Sequence, residues 1–182
     1  MSPTLLQKVI ASPTGPLLIL TSEKGLCSVE FQLPDRRALL QKRLDRWHST
    51  PKLMDGENEI TRLTTAWLEQ YFQGKFAGLK IPPLDVRGTD FELATWEELK
   101  NIPFGQTVTY GQLAGRLGKP QGARAVGGCV GRNPIAIIIP CHRVIGGDGS
   151  LTGFGGGLEN KKWLLEHERR AAPPFVGFGP VV

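Results

Sequence analysis

Along the chain, apolar residues first come in short runs and then recur at helical spacing. Three runs, at residues 5–11, 17–21 and 26–31, consist of apolar and β-branched residues and are separated by segments rich in Ser, Pro and Gly. Runs of this length between turn-forming residues predict β-strands, here a small antiparallel meander.

Helical spacing of apolar residues predicts two helices after the meander, over residues 34–47 and 59–72. The second helix has apolar residues at positions i, i+3, i+4 and i+8, which is the spacing of one buried stripe. That stripe comprises Leu63, Ala66, Trp67 and Tyr71. A Pro- and Gly-punctuated segment, residues 80–88, then joins two differently patterned halves, and we take it as the connection between two domains, residues 1–84 and 85–182.

Two capping boxes mark helix starts in the second half. Residues 89–92 and 109–112 have the Thr-x-x-Glu/Gln form, in which a hydroxyl and a longer polar side chain satisfy free backbone amides. The second box predicts a short helix that Gly118 ends, and another helical segment, residues 122–132, follows across a tight turn. Two short helices in this arrangement predict a helix-turn-helix, whose second helix is the part that enters nucleic acid.

The second helix of this motif contains Gly127, Gly128 and Gly131, each of which costs about 1 kcal/mol relative to Ala inside a helix. A smooth Ala/Gly face would let the helix backbone approach a duplex, and the long side chain of Arg124 could wedge into the base stack. Close helix packing within the protein would use the same small residues. From the residues alone, both interpretations stay open.

The net charge of +5 is unevenly distributed, because no acidic residue occurs between Glu98 and Asp148. We call this stretch the acid-free window. Its basic residues are Lys100, Arg116, Lys119, Arg124, Arg132 and Arg143. Such a segment indicates a polyanionic partner, since phosphates attract Lys and Arg at long range, and the alternative is a solvated basic surface.

The cysteine and histidine counts narrow the class of protein further. The cysteines, Cys27, Cys129 and Cys141, are too few and too scattered for a disulfide framework, which favours a reducing compartment. The three histidines form no ligand pattern with them, so we expect no metal and no cofactor.

No apolar stretch approaches the roughly 20 residues of a membrane span, and the N-terminus lacks a secretory leader. We therefore expect no membrane partner and a cytoplasmic location, nucleoid-associated in bacteria or archaea and nuclear in a eukaryote.

Candidate chemistry concentrates at residues 135–144, an apolar, β-branched run that ends in Cys141, His142 and Arg143. A thiol is a good nucleophile only as thiolate, which a positive, partly exposed setting favours, and His142, Arg143 or a helix N-terminus could supply that setting. The alternative is that Cys141 is a small core residue, since free Cys is among the most buried residue types.

Two features downstream of Cys141 could complete a site. Residues 146–150 and 153–157 are Gly-dense loops that either wall a pocket or form mobile turns, and they match no phosphate-binding fingerprint. The last helix carries Glu166 and Glu168, and one of these carboxylates could orient His142 as the third member of a Cys, His, acid series.

The sequence resembles the O6-alkylguanine-DNA alkyltransferase family, densely in the C-terminal half. The matching motifs are Ile102-Pro103-Phe104-Gly105, Ala123-Arg124-Ala125-Val126-Gly127, Asn133-Pro134, Pro140-Cys141-His142-Arg143-Val144 and Trp163-Leu164-Leu165-Glu166-His167-Glu168. The resemblance implies an α+β fold of two domains: an N-terminal ribonuclease-H-like α/β domain with a small antiparallel sheet, and a mostly helical C-terminal domain with the helix-turn-helix.

The resemblance also implies an activity, direct DNA repair in a single turnover. Cys141 would take the alkyl group from the O6 of a guanine flipped out of duplex DNA, with O4-alkylthymine as a possible second substrate. His142 would accept the thiol proton through a water, and Glu168 would hold His142. Asn133 would stabilise the hydrogen bonds of the pocket, and Tyr110 would donate toward the leaving guanine or press on the neighbouring phosphate.

DNA binding is implied for the helix-turn-helix, with the helix from Ala123 in the minor groove and Arg124 filling the space left in the stack. The DNA-binding residues carried over are Tyr110, Gly111, Lys119, Ala123, Arg124, Ala125 and Gly127. The pocket residues carried over are Val144, Phe154, Gly155 and Gly156. Phe154 and Gly155 depart from the family, because many members have Tyr and Ser there, and this change bears on the tolerance for bulky alkyl groups.

The expected repair protein acts as a monomer on double-stranded DNA that contains O6-alkylguanine. Two further functions are alternatives to repair. A non-catalytic sensor of alkylated DNA would keep the binding domain but replace the nucleophile, and Cys141 argues against it. A cysteine hydrolase is disfavoured because Cys141 and His142, adjacent on a short strand, could not easily place the imidazole for both attack and release. Some family members hold a structural zinc in the N-terminal domain, but Cys27 and His48 cannot supply four ligands.

Overall fold

The computed structural model describes residues 3–171, apart from the side chain of Asp35. Residues 172–182, the end of the predicted C-terminal domain, lie outside the described residues. Across residues 3–171, every helix falls short of the length and apolar character that crossing a membrane requires.

The N-terminal half contains the predicted meander and one strand more. Strands β1 (Thr4–Ile10), β2 (Leu17–Thr21) and β3 (Leu26–Phe31) pair antiparallel, as expected. Strand β4 (Lys52–Asp55) pairs in parallel with β1, so the strand order is β3-β2-β1-β4 and the sheet is mixed. The sequence did not predict β4, because it is four residues long, sits at the sheet edge and buries none of its side chains fully.

Helices cover both faces of this sheet. Helix α1 (Pro34–His48) packs Leu40 and Leu44 against one face, and α2 (Glu59–Phe72) packs Trp67 and Leu68 against the other. Strand β2 is therefore buried on both sides, which explains why its sequence is a continuous apolar run rather than an alternation.

The buried stripe of α2 differs from the predicted one. Trp67 and Tyr71 are buried as predicted, but Leu63 is 45% exposed and Ala66 is also exposed, and Thr61, Thr64 and Leu68 are buried instead. The Thr61 hydroxyl bonds to Asn58 and Thr21, and the Thr64 hydroxyl donates to the Ile60 carbonyl at 2.7 Å. Because these hydroxyls are satisfied locally, threonine can take buried positions that hydrophobic spacing assigns to leucine and alanine.

The C-terminal half is mostly helical. Its elements are α3 (Asp90–Leu99), β5 (Val108–Thr109), α4 (Tyr110–Arg116), α5 (Ala123–Gly131), β6 (Val144–Ile145) and α6 (Leu158–Ala171). Both predicted capping boxes are formed, at Thr89 with Glu92 and at Thr109 with Gln112. Helices α4 and α5 pack together as the expected helix-turn-helix, and β5 pairs in parallel with β6.

Backbone hydrogen bonds join the free edge of β3 to the segment that leads to Cys141. The Val29 amide donates to the Pro134 carbonyl at 3.0 Å, and the Ala136 amide donates to the Val29 carbonyl at 3.0 Å. One cluster of buried apolar side chains runs from β2 and α2 through residues 135–139 to the C-terminal helices. The N-terminal sheet therefore fixes the approach to the candidate nucleophile.

Candidate active site and nucleic-acid interface

The apolar run before Cys141 forms tight turns rather than a strand. The Asn133 side chain holds these turns: its Nδ2 donates to the Ile139 carbonyl at 2.7 Å and its Oδ1 accepts from the Ile135 amide at 3.0 Å. Ile137 has φ of 70°, a left-handed conformation that is rare for a β-branched residue and costs energy. Asn133 thus acts on the backbone that positions Cys141.

Residues Cys141–Arg143 form one turn of 3-10 helix, which corrects the expectation of a strand. Three residues per turn separate neighbouring side chains by about 120° around the axis. Cys141 lines a cavity, while His142 and Arg143 both reach Glu168 on α6. The turn therefore places the thiol on one side and the acid-base partners on another.

The carboxylate of Glu168 is fully buried and accepts five hydrogen bonds. His142 Nε2 lies 2.7 Å from Oε1, and the Arg143 guanidinium makes a two-pronged contact at 2.9 Å. The Tyr71 hydroxyl donates at 2.9 Å, and the Gly105 amide donates at 3.0 Å. Of the two acids considered, Glu168 and not Glu166 contacts His142.

Electrostatics fix the protonation of this pair. Burial alone would raise the pKa of Glu168, but the hydrogen bond of His142 and the charge and hydrogen bonds of Arg143 outweigh it and hold the pKa well below its usual range. Burial lowers the pKa of His142 against the opposing effect of Glu168, which favours neutral imidazole. Because Nε2 faces the carboxylate, the lone pair is on Nδ1, which is buried and has no hydrogen-bond partner within the part of the chain described. His142 is therefore arranged as a base.

Cys141 is only 7% exposed, so the expected partly exposed setting is wrong. Burial raises the pKa of its thiol, and Asn133 and Lys161 act against that rise. Arg143, considered from the sequence as the nearby cation, is instead held by Glu168. At neutral pH the resting thiol is protonated and needs a base.

A cavity of about 10 Å³ lies beside Cys141. Four predicted site residues besides Cys141 line it, namely Asn133, Phe154, Gly155 and Gly156. Val144, also predicted to line the pocket, is fully buried and is not among the residues of this wall. The N-terminal domain contributes Glu30, Phe31 and Arg36, which the sequence did not predict.

The wall of the cavity has no room for side chains at two glycines. A Cβ on Gly156 would lie 2.5 Å from the Phe31 ring and 2.6 Å from the Phe154 ring, which pack edge to face at 5.6 Å. A Cβ on Gly155 would lie 2.6 Å from the Arg36 guanidinium, the mobile end of a long side chain. Glycine is therefore required more strictly at position 156 than at position 155.

Tyr110, at the start of α4, borders this wall. Its half-buried hydroxyl donates to the Thr152 carbonyl at 3.3 Å, and a Cβ on Gly153 would lie 3.6 Å from it. Burial raises the pKa of Tyr110, so the phenol stays protonated at neutral pH and is available as a donor.

The other predicted DNA-binding residues lie on the outer side of the helix-turn-helix. Gly111, Lys119, Arg124 and Ala125 are exposed, and Ala123 and Gly127 are half-buried. Within residues 3–171, Arg124 makes no ion pair, which leaves its guanidinium available to a partner.

The glycines of α5 are not required by packing inside the protein. A Cβ on Gly127 would make ordinary contact with the Tyr110 ring at 3.6 Å, and one on Gly131 would meet no atom within 4 Å. On Gly128 it would lie 3.1 Å from the flexible guanidinium of Arg132. The missing side chains therefore favour the docking interpretation over internal packing.

The basic residues of the acid-free window do not all contribute to one basic surface in the structure. Arg143 is buried and paired with Glu168, so it does not belong to a basic surface. Arg132 pairs with Glu92, and Lys100 pairs with Glu97 at 2.7 Å. Arg124 and Lys119 remain as exposed cations on the outer side of the motif.

Besides the cavity residues of the N-terminal domain, Tyr71 and Lys161 are site residues that the sequence did not predict. Tyr71 reaches Glu168 from the other half of the chain, and Lys161 is buried beside the cavity wall. Within residues 3–171, no group of three His, Cys, Asp or Glu side chains is arranged to hold a metal ion.

Comparisons with known proteins agree with this geometry. Residues 90–170 match the family model "6-O-methylguanine DNA methyltransferase, DNA binding domain", and residues 5–86 match the ribonuclease-like domain of the same family. The chain is 42% identical over 158 residues to the methylated-DNA–protein-cysteine methyltransferase of Haemophilus influenzae, covering 87% of this chain and 83% of that protein. It is 43% identical over 162 residues to the protein of the same name from Methanosarcina barkeri, covering 88% and 94%. The crystal structure of Mycobacterium tuberculosis OGT in complex with DNA superposes with a TM-score of 0.76 at 37% identity, covering 94% of this chain and 96% of that one.

Proposed function

The chain belongs to the 6-O-methylguanine DNA methyltransferase family, and we propose that it repairs DNA by moving the alkyl group of O6-alkylguanine onto Cys141. One observation carries the proposal: the thiol lines a cavity, and the adjacent His142 has a free Nδ1 and a buried carboxylate behind it. A nucleophile, a base and a group that orients the base are the parts that covalent transfer needs.

The proposed transfer proceeds by displacement at the alkyl carbon. The Cys141 proton passes through a water to Nδ1 of His142, whose charge the ionised Glu168 then balances. The thiolate attacks the alkyl carbon, the S–C bond forms, and the C–O6 bond breaks with its electron pair going to the purine. Tyr110 turns its O–H from the Thr152 carbonyl to the leaving guanine and gives it a proton, so the purine departs as the neutral base. The Tyr110 phenolate then takes a proton back from the His142 imidazolium through solvent, so the net change moves the thiol proton to the purine.

The product explains why we propose a single turnover. A thioether has no carbonyl carbon that water could attack, unlike the thioester of a cysteine hydrolase. S-alkyl Cys141 is therefore the end of the reaction, and each molecule repairs one base.

Access to the target atom requires the damaged base to leave the stack, at a cost of a few kcal/mol. We propose that α5 lies in the minor groove, where its glycines allow close approach and Arg124 fills the space left by the flipped base. The free guanidinium of Arg124 and the unused space around Gly127 and Gly131 support this assignment.

The resting cavity is smaller than a purine, since about 10 Å³ holds roughly one water molecule. We propose that residues 153–156 move outward as the base enters. These residues are largely glycine, and Phe154 packs on the rings of Phe31 and His142, while the Gly156 carbonyl accepts a hydrogen bond from Asn160 at 2.9 Å. Outward movement has to break these few contacts.

Intact-protein mass spectrometry tests the proposal directly. Mixed with excess duplex containing O6-methylguanine, the protein should gain the mass of one methyl group, located on Cys141 by peptide mapping, and no more. Cys141→Ser should bind the same duplex without gaining mass. Continued turnover with no mass gain would indicate a hydrolase, and binding with no mass gain by the natural protein would indicate a sensor of alkylated DNA.

A further inference from the structure

Lys161, on α6, is completely buried without a carboxylate partner. Its Nζ donates to the Val144 carbonyl at 2.6 Å and to the Thr152 carbonyl at 2.7 Å, and within residues 3–171 it makes no ion pair. Lysine is almost never fully buried unless it is paired, because removing the ammonium from water is costly. A function that needs this cation would explain why it is there.

The two carbonyls that Lys161 holds belong to different parts of the site. Val144 follows the 3-10 turn of Cys141, and Thr152 precedes the glycine wall of the cavity. The Thr152 carbonyl also accepts the hydrogen bond of Tyr110. A single ammonium group therefore joins the strand after the nucleophile, the cavity wall and the proposed proton donor.

The charge of Lys161 also acts on Cys141. Several groups influence the thiol: Asn133 and Lys161 lower its pKa, Glu30 raises it and Arg36 lowers it, while burial raises it most. Burial lowers the pKa of Lys161 itself, and Cys141 opposes that effect. Glu30 already pairs with Arg36 and Arg43, and His142 faces Glu168. Within residues 3–171, Lys161 is thus a buried cation that acts on the thiol and pairs with no carboxylate.

We infer that Lys161 is a positioning residue of alkyl transfer, which ties the cavity wall and Tyr110 to the strand after Cys141 and provides the counter-charge of the thiolate. This inference rests on the proposed function and assigns it a residue that touches neither base nor alkyl group. A merely structural lysine would hold the two carbonyls but would leave the thiol unaffected.

The test compares Lys161→Met, which keeps length and removes charge and donors, with Lys161→Arg and with the control Lys162→Met on the exposed side of α6. Iodoacetamide labelling of Cys141 is followed across pH on its own peptide by mass spectrometry, and methyl transfer from duplex O6-methylguanine is measured in a single turnover. In Lys161→Met the labelling midpoint should rise by about one pH unit, and transfer at pH 7 should fall about tenfold. Lys161→Arg should keep the midpoint near that of the natural protein, and Lys162→Met should change neither quantity.

An unchanged midpoint in folded Lys161→Met would overturn the inference, whether or not transfer is slowed, because a structural role alone would account for slower transfer. The labelling experiment uses no DNA, so it decides the role of Lys161 even if the natural protein takes up no methyl group, a result that would refute the proposed function instead.

A measurement on the natural protein covers the case in which Lys161→Met does not fold. The Lys161 Nζ resonance is followed by ¹⁵N nuclear magnetic resonance while pH is raised, before and after methylation of Cys141. Since coupling between two sites is reciprocal, loss of the thiolate should lower the pKa of Lys161. The same pKa in both forms would overturn the inference.

Discussion

The Glu168 carboxylate accepts five hydrogen bonds in the protein interior, whereas the Arg124 guanidinium, on the outer side of α5, makes no ion pair within residues 3–171. Around Glu168, the donors come from three separate parts of the chain: Tyr71 of α2, Gly105, and the neighbours His142 and Arg143. Along α5, a Cβ on Gly131 would meet no atom within 4 Å, and one on Gly127 would make only an ordinary contact with the Tyr110 ring.

This contrast separates two kinds of functional residue. The proposed acid-base group, His142 with Glu168, is preorganised, so the protein itself supplies its orientation energy before any substrate arrives. For helix α5, which we propose docks on DNA, a duplex would have to supply the contacts of Arg124. Substitutions in the first region should therefore affect both folding and transfer, and substitutions in the second should affect only reactions on duplex DNA.

Glu168→Gln should have the largest effect. It leaves the buried Arg143 cation without its counter-charge, and breaking a buried pair costs about 3 kcal/mol or more of unfolding free energy. Loss of the group that orients His142 should slow methyl transfer about 100-fold, while duplex binding is preserved. Urea unfolding, single-turnover transfer and a DNA-binding titration measure the three quantities.

The matched control is Glu166→Gln, whose carboxylate is partly exposed and pairs weakly with Arg170 at 3.5 Å. It should leave all three quantities near those of the natural protein. If Glu168→Gln transfers methyl at the natural rate, Glu166 or water orients His142, and the buried network is not the preorganised part of the site.

Gly156→Ala and Gly155→Ala should differ although they are neighbours. At Gly156 the new methyl meets the packed rings of Phe31 and Phe154, and overpacking of this kind costs about 1–3 kcal/mol. At Gly155 it meets the end of the flexible Arg36 side chain, which can swing aside. Urea unfolding should show a larger loss of unfolding free energy for Gly156→Ala than for Gly155→Ala. Equal losses would mean that the contacts with the Phe31 and Phe154 rings do not restrict side-chain size at position 156.

If Arg124 fills the gap left by a flipped base, as we propose, Arg124→Ala should reduce methyl transfer on duplex DNA about tenfold, the equivalent of about 1.4 kcal/mol. Transfer from the free base O6-methylguanine should not change. Arg62→Ala on α2 removes the same charge from an exposed surface of the other half and serves as the control. Equal losses on duplex and free base would remove the wedge role of Arg124.

The prediction from sequence succeeded where function depends on local pattern. The capping boxes at Thr89 and Thr109 were read correctly because their hydrogen bonds span three residues. His142 stands next to Cys141 in sequence, but its contact with Glu168, 26 positions away, was expected from family resemblance and not from a local pattern. The capping signals lie within single segments of the chain, so no knowledge of the fold was needed for them.

The contacts and burial that the sequence did not predict depend on long-range packing. Tyr71 meets Glu168 from 97 positions away, and no periodicity encodes that contact. Lys161 reads as one of two adjacent helix lysines, and only the fold shows that it is buried while Lys162 is exposed. The expected partly exposed setting of Cys141 was wrong for a related reason. Phe31 and Arg36, from the N-terminal half of the chain, line the cavity beside Cys141 and contribute to its burial.

The smallest effect is a pH dependence of stability that should be confined to the buried region. The pKa of His142 is lowered by burial, and the pKa of His48 is lowered by burial and by Arg87. For a histidine with a lowered folded pKa, the unfolded chain binds more protons in acid. Stability is therefore full above the unfolded pKa of about 6.5 and is lost as pH falls towards the folded value. Glu168, whose pKa is also depressed, adds its own loss only further into acid, below the ordinary Glu pKa of about 4.3.

Between pH 7.5 and 5.5, His142 should account for a loss of about 1 kcal/mol in unfolding free energy, measured by urea titration at each pH. His142→Gln should remove that part of the slope, His48→Gln should remove the part due to His48, and Arg124→Ala should leave the whole slope intact because an arginine does not titrate in this range. A slope that is the same in His142→Gln as in the natural protein would mean that folding does not disfavour the imidazolium. His142 would then be protonated in the folded protein as readily as in the unfolded chain. The buried site would not hold His142 as a neutral base, and its contrast with the exposed helix α5 would no longer stand.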